Sequence, residues 1–378
     1  MKDVDQNQSL NVWRRPSFLN KPMKKILGNL MALSFLGMTA FGETAAGKPR
    51  ALVGAYYFDG WSGLTDHITP ALRTKYAVRQ PLWGWKDDTV SIMRQQVDYA
   101  ADHSIAFWAF DWYYPEKANK ETPLNHALGL FLKAPNRERM RFCLLVSNHG
   151  GYRIGPADWP ECCRRWIALF QEPTCLRVAG KPLLIILSPT ELEKAFGGPN
   201  GVRKVFDELR NQARQAGIKE LLVAACTGPD EERMKLLVQS GYDVLTGYGY
   251  NMSWALGSGS KPFRELISGN QRVFGMFAKN SPLPFVPAIT TGWDRRPADE
   301  GKPADKQSVW YADRSPQFVE EFVKFGVRWL DENPKKTLPQ RLLLLYAWNE
   351  FGEGGYLTPS QGEGTAYLEA VRRAVTGK

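Results

Sequence analysis

LLLLYAWNEFGEGGYLTP, residues 342–359, sets the reading of the whole chain. Its first part, 342–347, is apolar without polar alternation, the pattern of a strand covered on both faces. The chain then turns polar within three residues and presents Trp348, Asn349, Glu350 and, after Phe351 and Gly352, Glu353. Strands covered on both faces belong to parallel sheets flanked by helices, so the fold turns on how many such runs the chain holds.

Working outward, seven more runs lie at 51–57, 105–111, 142–147, 183–187, 221–226, 244–248 and 285–290. Helical spacing fills the gaps between them. Val202, Val205, Phe206, Leu209 and Ala213 make one stripe, Val90, Met93, Val97 and Ala100 a second, and Phe318, Phe322, Phe325 and Trp329 a third, with a last helix over 366–375. Eight alternations without a Gly/Ser linker predict an α/β fold, a single (β/α)8 TIM-type barrel over residues 47–378. A doubly wound open sheet would carry a Gly-rich phosphate turn after its first strand, and GxGxxG is absent.

In such a barrel, reactive residues stand at the C-terminal strand ends. Those ends offer Tyr56, Tyr57, Asp59 and Trp61, then Asp111, Trp112 and Tyr113, then Asn148 and His149. Later ends add Tyr248 and Tyr250, Trp293 and Asp294 with Arg295, and finally Trp348, Asn349 and Tyr356. Aromatic faces beside carboxylates and amides suit hydroxyl-rich rings, so these are the candidate substrate-binding residues. Two glutamates in a Gly-rich turn are ordinarily solvated acids. Here Trp348, Gly354, Gly355 and Tyr356 flank them, and a helix-like turn would bring their Cβ atoms about 5–6 Å apart on one face. Cleavage of a glycosidic bond needs such a pair, one carboxyl to protonate the departing oxygen and one ionised. Glu350 and Glu353 are therefore the candidate catalytic residues, with apolar neighbours expected to raise the proton affinity of Glu353.

The segment WNEFGEGGYLTP, with the Tyr-Leu-Glu-Ala helix start at 367–370, resembles the C-terminal signature of glycoside hydrolase family 99-like proteins, also labelled WbsX. YYFDGW at 56–61, FWAFDWYY at 107–114 and TGWDRRP at 291–297 resemble the same family. The resemblance implies that Glu350 removes the proton of a substrate 2-hydroxyl, closing a 1,2-anhydro sugar, while Glu353 serves as acid and then base. Phe351 stands where the family usually has Trp and Thr358 where it often has Glu, a departure expected to alter the substrate subsite.

Lys24 and Lys25 precede an apolar run over 26–41 with small residues after it, so residues 1–42 read as a signal peptide, with Met23 as an alternative start. The run is short for a spanning helix, which points to an exported protein, periplasmic or extracellular, with no stable membrane span. Removing 1–42 deletes six basic and two acidic side chains from a chain of net charge +10. The remaining surplus is mild, and no nucleic-acid motif accompanies it. The five cysteines have no metal-ligand spacing, His67, His103 and His126 suggest no metal site, and HExxH, CxxC and the P-loop are absent, so no metal or organic cofactor is expected. The expected partner is a carbohydrate. Two other functions stay open, a glycosyltransferase of polysaccharide synthesis and a glycan-binding barrel without catalysis. An exported chain would lack the cytoplasmic nucleotide-sugar donor that the first requires.

Overall fold

The computed structural model describes residues 51–115, 122–251, 259–303 and 306–377. The segment read as a signal peptide, residues 1–42, lies outside the described residues.

Each of the eight runs forms a strand of one parallel sheet. They are β1 Leu52–Tyr57, β2 Phe107–Trp112, β3 Arg141–Val146, β4 Lys181–Ile186, β5 Leu222–Cys226, β6 Val244–Thr246, β7 Ala288–Thr290 and β8 Leu342–Tyr346. Neighbours in sequence pair from β1 to β6, and β8 lies between β7 and β1. A parallel bridge from Leu245 to Phe285 closes the ring, with the Val286 N–H donating to the Leu245 carbonyl at 2.8 Å. All residues of β2 and β8 are buried, which is why FWAF in β2 and LLLLY in β8 read as unbroken apolar runs.

The helices bury the stripes their spacing announces. Pro199–Gln215 covers Val202, Phe206, Leu209 and Ala213, and Val90–Asp102 covers Met93, Val97 and Ala100. Thr89 starts the latter by accepting from the Ile92 N–H, and Ser315 does the same for Pro316–Glu332 with proline at the first helical position. In that helix Phe322 and Trp329 of the expected stripe are buried, together with Val319, Val323, Val327 and Leu330, while Phe318 and Phe325 are half-buried. Phe318 instead stacks on Phe263 of a neighbouring helix and takes Arg264 over its ring. All five cysteines are unpaired, and four are buried.

Candidate active site

A cavity of about 790 Å³ opens where the strands end. That is within the range of small-molecule and glycan sites, roughly 300–1,000 Å³. Phe58 and Trp61 reach it from β1, Asp111 and Tyr113 from β2, His149 from β3, and Tyr248 and Tyr250 from β6. Trp293 and Arg295 follow β7, and Glu350 and Glu353 follow β8.

The two glutamates are presented by a hairpin. Asn349–Glu350 pairs antiparallel with Gly355–Tyr356, and the Glu353 N–H donates to the Glu350 carbonyl at 3.2 Å. They stand at the ends of a tight β-turn, where the sequence suggested a turn of helix. The glycines decide this: Gly354 has φ +76°, and a Cβ on Gly355 would lie 2.4 Å from Cε1 of Tyr346. Behind the turn, the Asp294 N–H donates to the Glu353 carbonyl at 2.6 Å. Buried Arg79 donates to the carbonyls of Phe351 (2.8 Å) and Asp294 (3.2 Å) and pairs with the Asp294 carboxylate.

The electrostatic settings of the pair differ. Burial raises the pKa of Glu350, as do the charges of Glu353 and Asp111, while the Tyr248 hydroxyl and Arg295 oppose the shift. Tyr248 Oη lies 2.7 Å from Glu350 Oε1 and 2.8 Å from Asp111 Oδ2. Glu353 instead receives the Tyr346 hydroxyl and lies 3.2 Å from Arg295 Nη1. Glu350 is the buried member of the pair, whereas Glu353 is half-buried beside Arg295.

Of the candidate substrate-binding residues, Trp61, Asp111, Tyr113, His149, Tyr248, Tyr250 and Trp293 line the cavity. The others do not. Tyr56 donates to the Gly247 carbonyl (2.7 Å), and Tyr57 turns outward to Asp87 (2.9 Å). Asp59 accepts from the Ala127 N–H, and Trp112 packs on Trp166. Asn148 holds the Ser188 backbone at 2.8 and 3.0 Å, and Asn349 holds the Phe58 backbone at 2.8 Å on both sides. Trp348 is fully buried, donating to Gln96 at 2.8 Å. Asp294 and Tyr356 line a smaller cavity of about 330 Å³ behind the hairpin. Side chains alternate along an extended chain, so only about half of those at a strand end can face the mouth. Phe351 and Thr358 are likewise off the cavity: Phe351 packs on Trp61 and Trp85, and Thr358 bonds the Trp348 carbonyl. Their departure from the family signature falls on packing positions.

Tyr346 and Arg79 escaped the sequence reading. Tyr346 looks like the last core residue of β8, and Arg79 lies in a segment without periodic pattern.

Fold and cavity together define a (β/α)8 barrel with a carboxyl pair at its C-terminal mouth. The chain belongs to the family described as glycosyltransferase WbsX, whose model matches residues 85–371. It is 25% identical over 314 residues to the uncharacterized protein WxcX of Xanthomonas campestris pv. campestris, covering 76% of this chain and 42% of WxcX. The chain thus spans less than half the length of that relative. Among solved structures it resembles a GH99 endo-alpha-mannosidase from Bacteroides thetaiotaomicron at TM-score 0.58, with 15% identity over 86% of this chain and 96% of that one. It also resembles a glycoside hydrolase-like protein at TM-score 0.61, with 12% identity over 89% and 97%. At these identities the likeness is one of fold.

Proposed function

We propose that this protein is an exported, retaining glycoside hydrolase that cleaves a glycosidic bond in a poly- or oligosaccharide through Glu350 and Glu353. The observation that carries the reading is the placing of both carboxyls across one turn, facing one cavity, with contrasting electrostatic partners. In the first step Glu350 takes the proton of the substrate 2-hydroxyl as its oxygen bonds to the anomeric carbon. The glycosidic C–O bond breaks, and Glu353 gives its proton to the departing oxygen. In the second step Glu353 takes a proton from water, water oxygen bonds to the anomeric carbon as the bond from that carbon to the 2-oxygen breaks, and Glu350 returns the proton to the 2-oxygen. Arg295 fits the stage at which Glu353 is ionised. Trp61, Tyr113 and Trp293 offer ring faces for sugar stacking, and His149 and Tyr250 offer polar edges.

The structural neighbours named endo-alpha-mannosidase and glycoside hydrolase-like protein support hydrolysis, and the family description favours transfer. One mechanism accommodates both, because an acceptor hydroxyl can replace water in the second step. Export rests on the Lys24-Lys25 pair and the apolar run behind it, and N-terminal sequencing of secreted protein tests it.

Incubation with a polysaccharide panel, scored for new reducing ends, tests the activity. Glu350→Gln and Glu353→Gln should each lower the rate by roughly a thousandfold while glycan binding persists. Glu353→Gln that remains active on a poor leaving group defeats the assignment. Binding without turnover on any glycan by the unaltered protein points to a non-catalytic barrel.

A further inference from the structure

Tyr248 presents one hydroxyl proton to two carboxyl oxygens, Asp111 Oδ2 at 2.8 Å and Glu350 Oε1 at 2.7 Å. Both distances are hydrogen-bonding ones, and a hydroxyl can donate only once. The second contact is then a hydrogen bond only if one of the carboxyls is itself an acid donating to Tyr248 Oη. Two ionised carboxylates flanking a buried phenol would leave one of them facing a lone pair, which is costly away from water.

The surroundings say which carboxyl carries the proton. Asp111 Oδ1 is buried without a hydrogen-bond partner, whereas neither Glu350 oxygen is so stranded. Arg295 favours the ionised form of Glu350, whereas the largest influence on Asp111 is its burial, which favours the neutral acid, with no such cation acting on it. Among the described residues, Tyr56 of β1, Tyr113 from the β2 end, Cys226 from β5, Tyr346 from β8 and Asp59 after β1 also face the trio, and none of these is a cation.

We propose that Asp111 is a neutral acid at the head of a donor chain, Asp111 O–H to Tyr248 O–H to the Glu350 carboxylate, and so acts as a positioning residue for Glu350. The inference deepens the hydrolase reading and rests on it for its use. A chain in this direction fixes which Glu350 oxygen is occupied and leaves the other free to accept a substrate proton. When Glu350 takes that proton, Asp111 and Tyr248 keep theirs, so charge never accumulates in the floor of the cavity.

Infrared spectroscopy of the full chain at neutral pH tests this without substrate, so its outcome is separable from that of the hydrolase assay. Carbon-13 at aspartate carboxyls should move a carboxylic-acid C=O band down in frequency, and carbon-13 at glutamate carboxyls should leave it in place. In difference spectra, where Asp59 and Asp87 cancel, Asp111→Asn should lose that band and Glu350→Gln should retain it. Tyr248→Phe removes the acceptor and should shift the band upward, which supplies a second reading if Asp111→Asn does not fold. The proposal is overturned if the band follows the glutamate label and vanishes in Glu350→Gln. It is equally overturned if no acid band responds to Asp111→Asn or Tyr248→Phe.

Discussion

Replacing Arg79 by Met removes the brace behind the Glu350–Glu353 turn. The guanidinium is 8% exposed and serves the Phe351 and Asp294 carbonyls and the Asp294 carboxylate. Breaking a buried ion pair from one side costs about 3–5 kcal/mol. Asp294 keeps Arg296, with contacts of 2.8 and 2.9 Å, so the loss should fall at the lower end, about 3 kcal/mol. Burial pushes the Asp294 carboxyl up, but the Arg296 bonds and the Arg79 charge outweigh it and leave the group below its ordinary value of 3.8. A depressed acid contributes stability above its unfolded pKa and loses it as pH falls through the folded value. The difference between the unaltered protein and Arg79→Met should therefore be complete from pH 5 upward and shrink below about pH 4. Urea denaturation at several pH values measures it. A loss under about 0.5 kcal/mol at pH 7 with an unchanged denaturant slope, or a difference that grows in acid, would refute the reasoning.

Gly355→Ala places a methyl on the Tyr346 ring, so it should cost about 1–3 kcal/mol and, by moving the hydroxyl that holds Glu353, lower turnover more than glycan affinity, as kcat and binding assays would show. Asp87 is pushed up to about 7 by burial, against the bond from Tyr57. A raised acid keeps its full contribution below its unfolded pKa and loses it as pH rises through the folded one. Stability should fall between pH 4 and 7 by up to roughly 4 kcal/mol, and Asp87→Asn should flatten that slope in thermal melts taken across the range. Tyr346→Phe removes one of the two donors on Glu353 and should reduce kcat/KM by roughly ten- to a hundredfold, with Tm nearly unchanged.

The barrel was legible because a strand buried on both faces has to be apolar without interruption, as at LLLLY in β8 and FWAF in β2. The site was half legible for a related reason. The rule that chemistry gathers at strand ends locates Asp111, Tyr113, Tyr248 and the glutamates, but it does not say which way each side chain faces. Asp111 and Trp112 are adjacent, yet one lines the cavity and the other packs on Trp166. Trp348, beside Glu350, looks like a sugar platform and is instead a buried donor to Gln96, a residue 252 positions away. Arg79 and Tyr346 matter through long-range contacts that no local pattern records.

The most direct test of the central claim is the configuration of the first sugar product, followed by proton NMR as a cleaved glycan is released. Glu350 and Glu353 acting on one ring through an internal 2-oxygen attack predict that the anomeric configuration of the substrate is retained. A first product of inverted configuration would contradict the account.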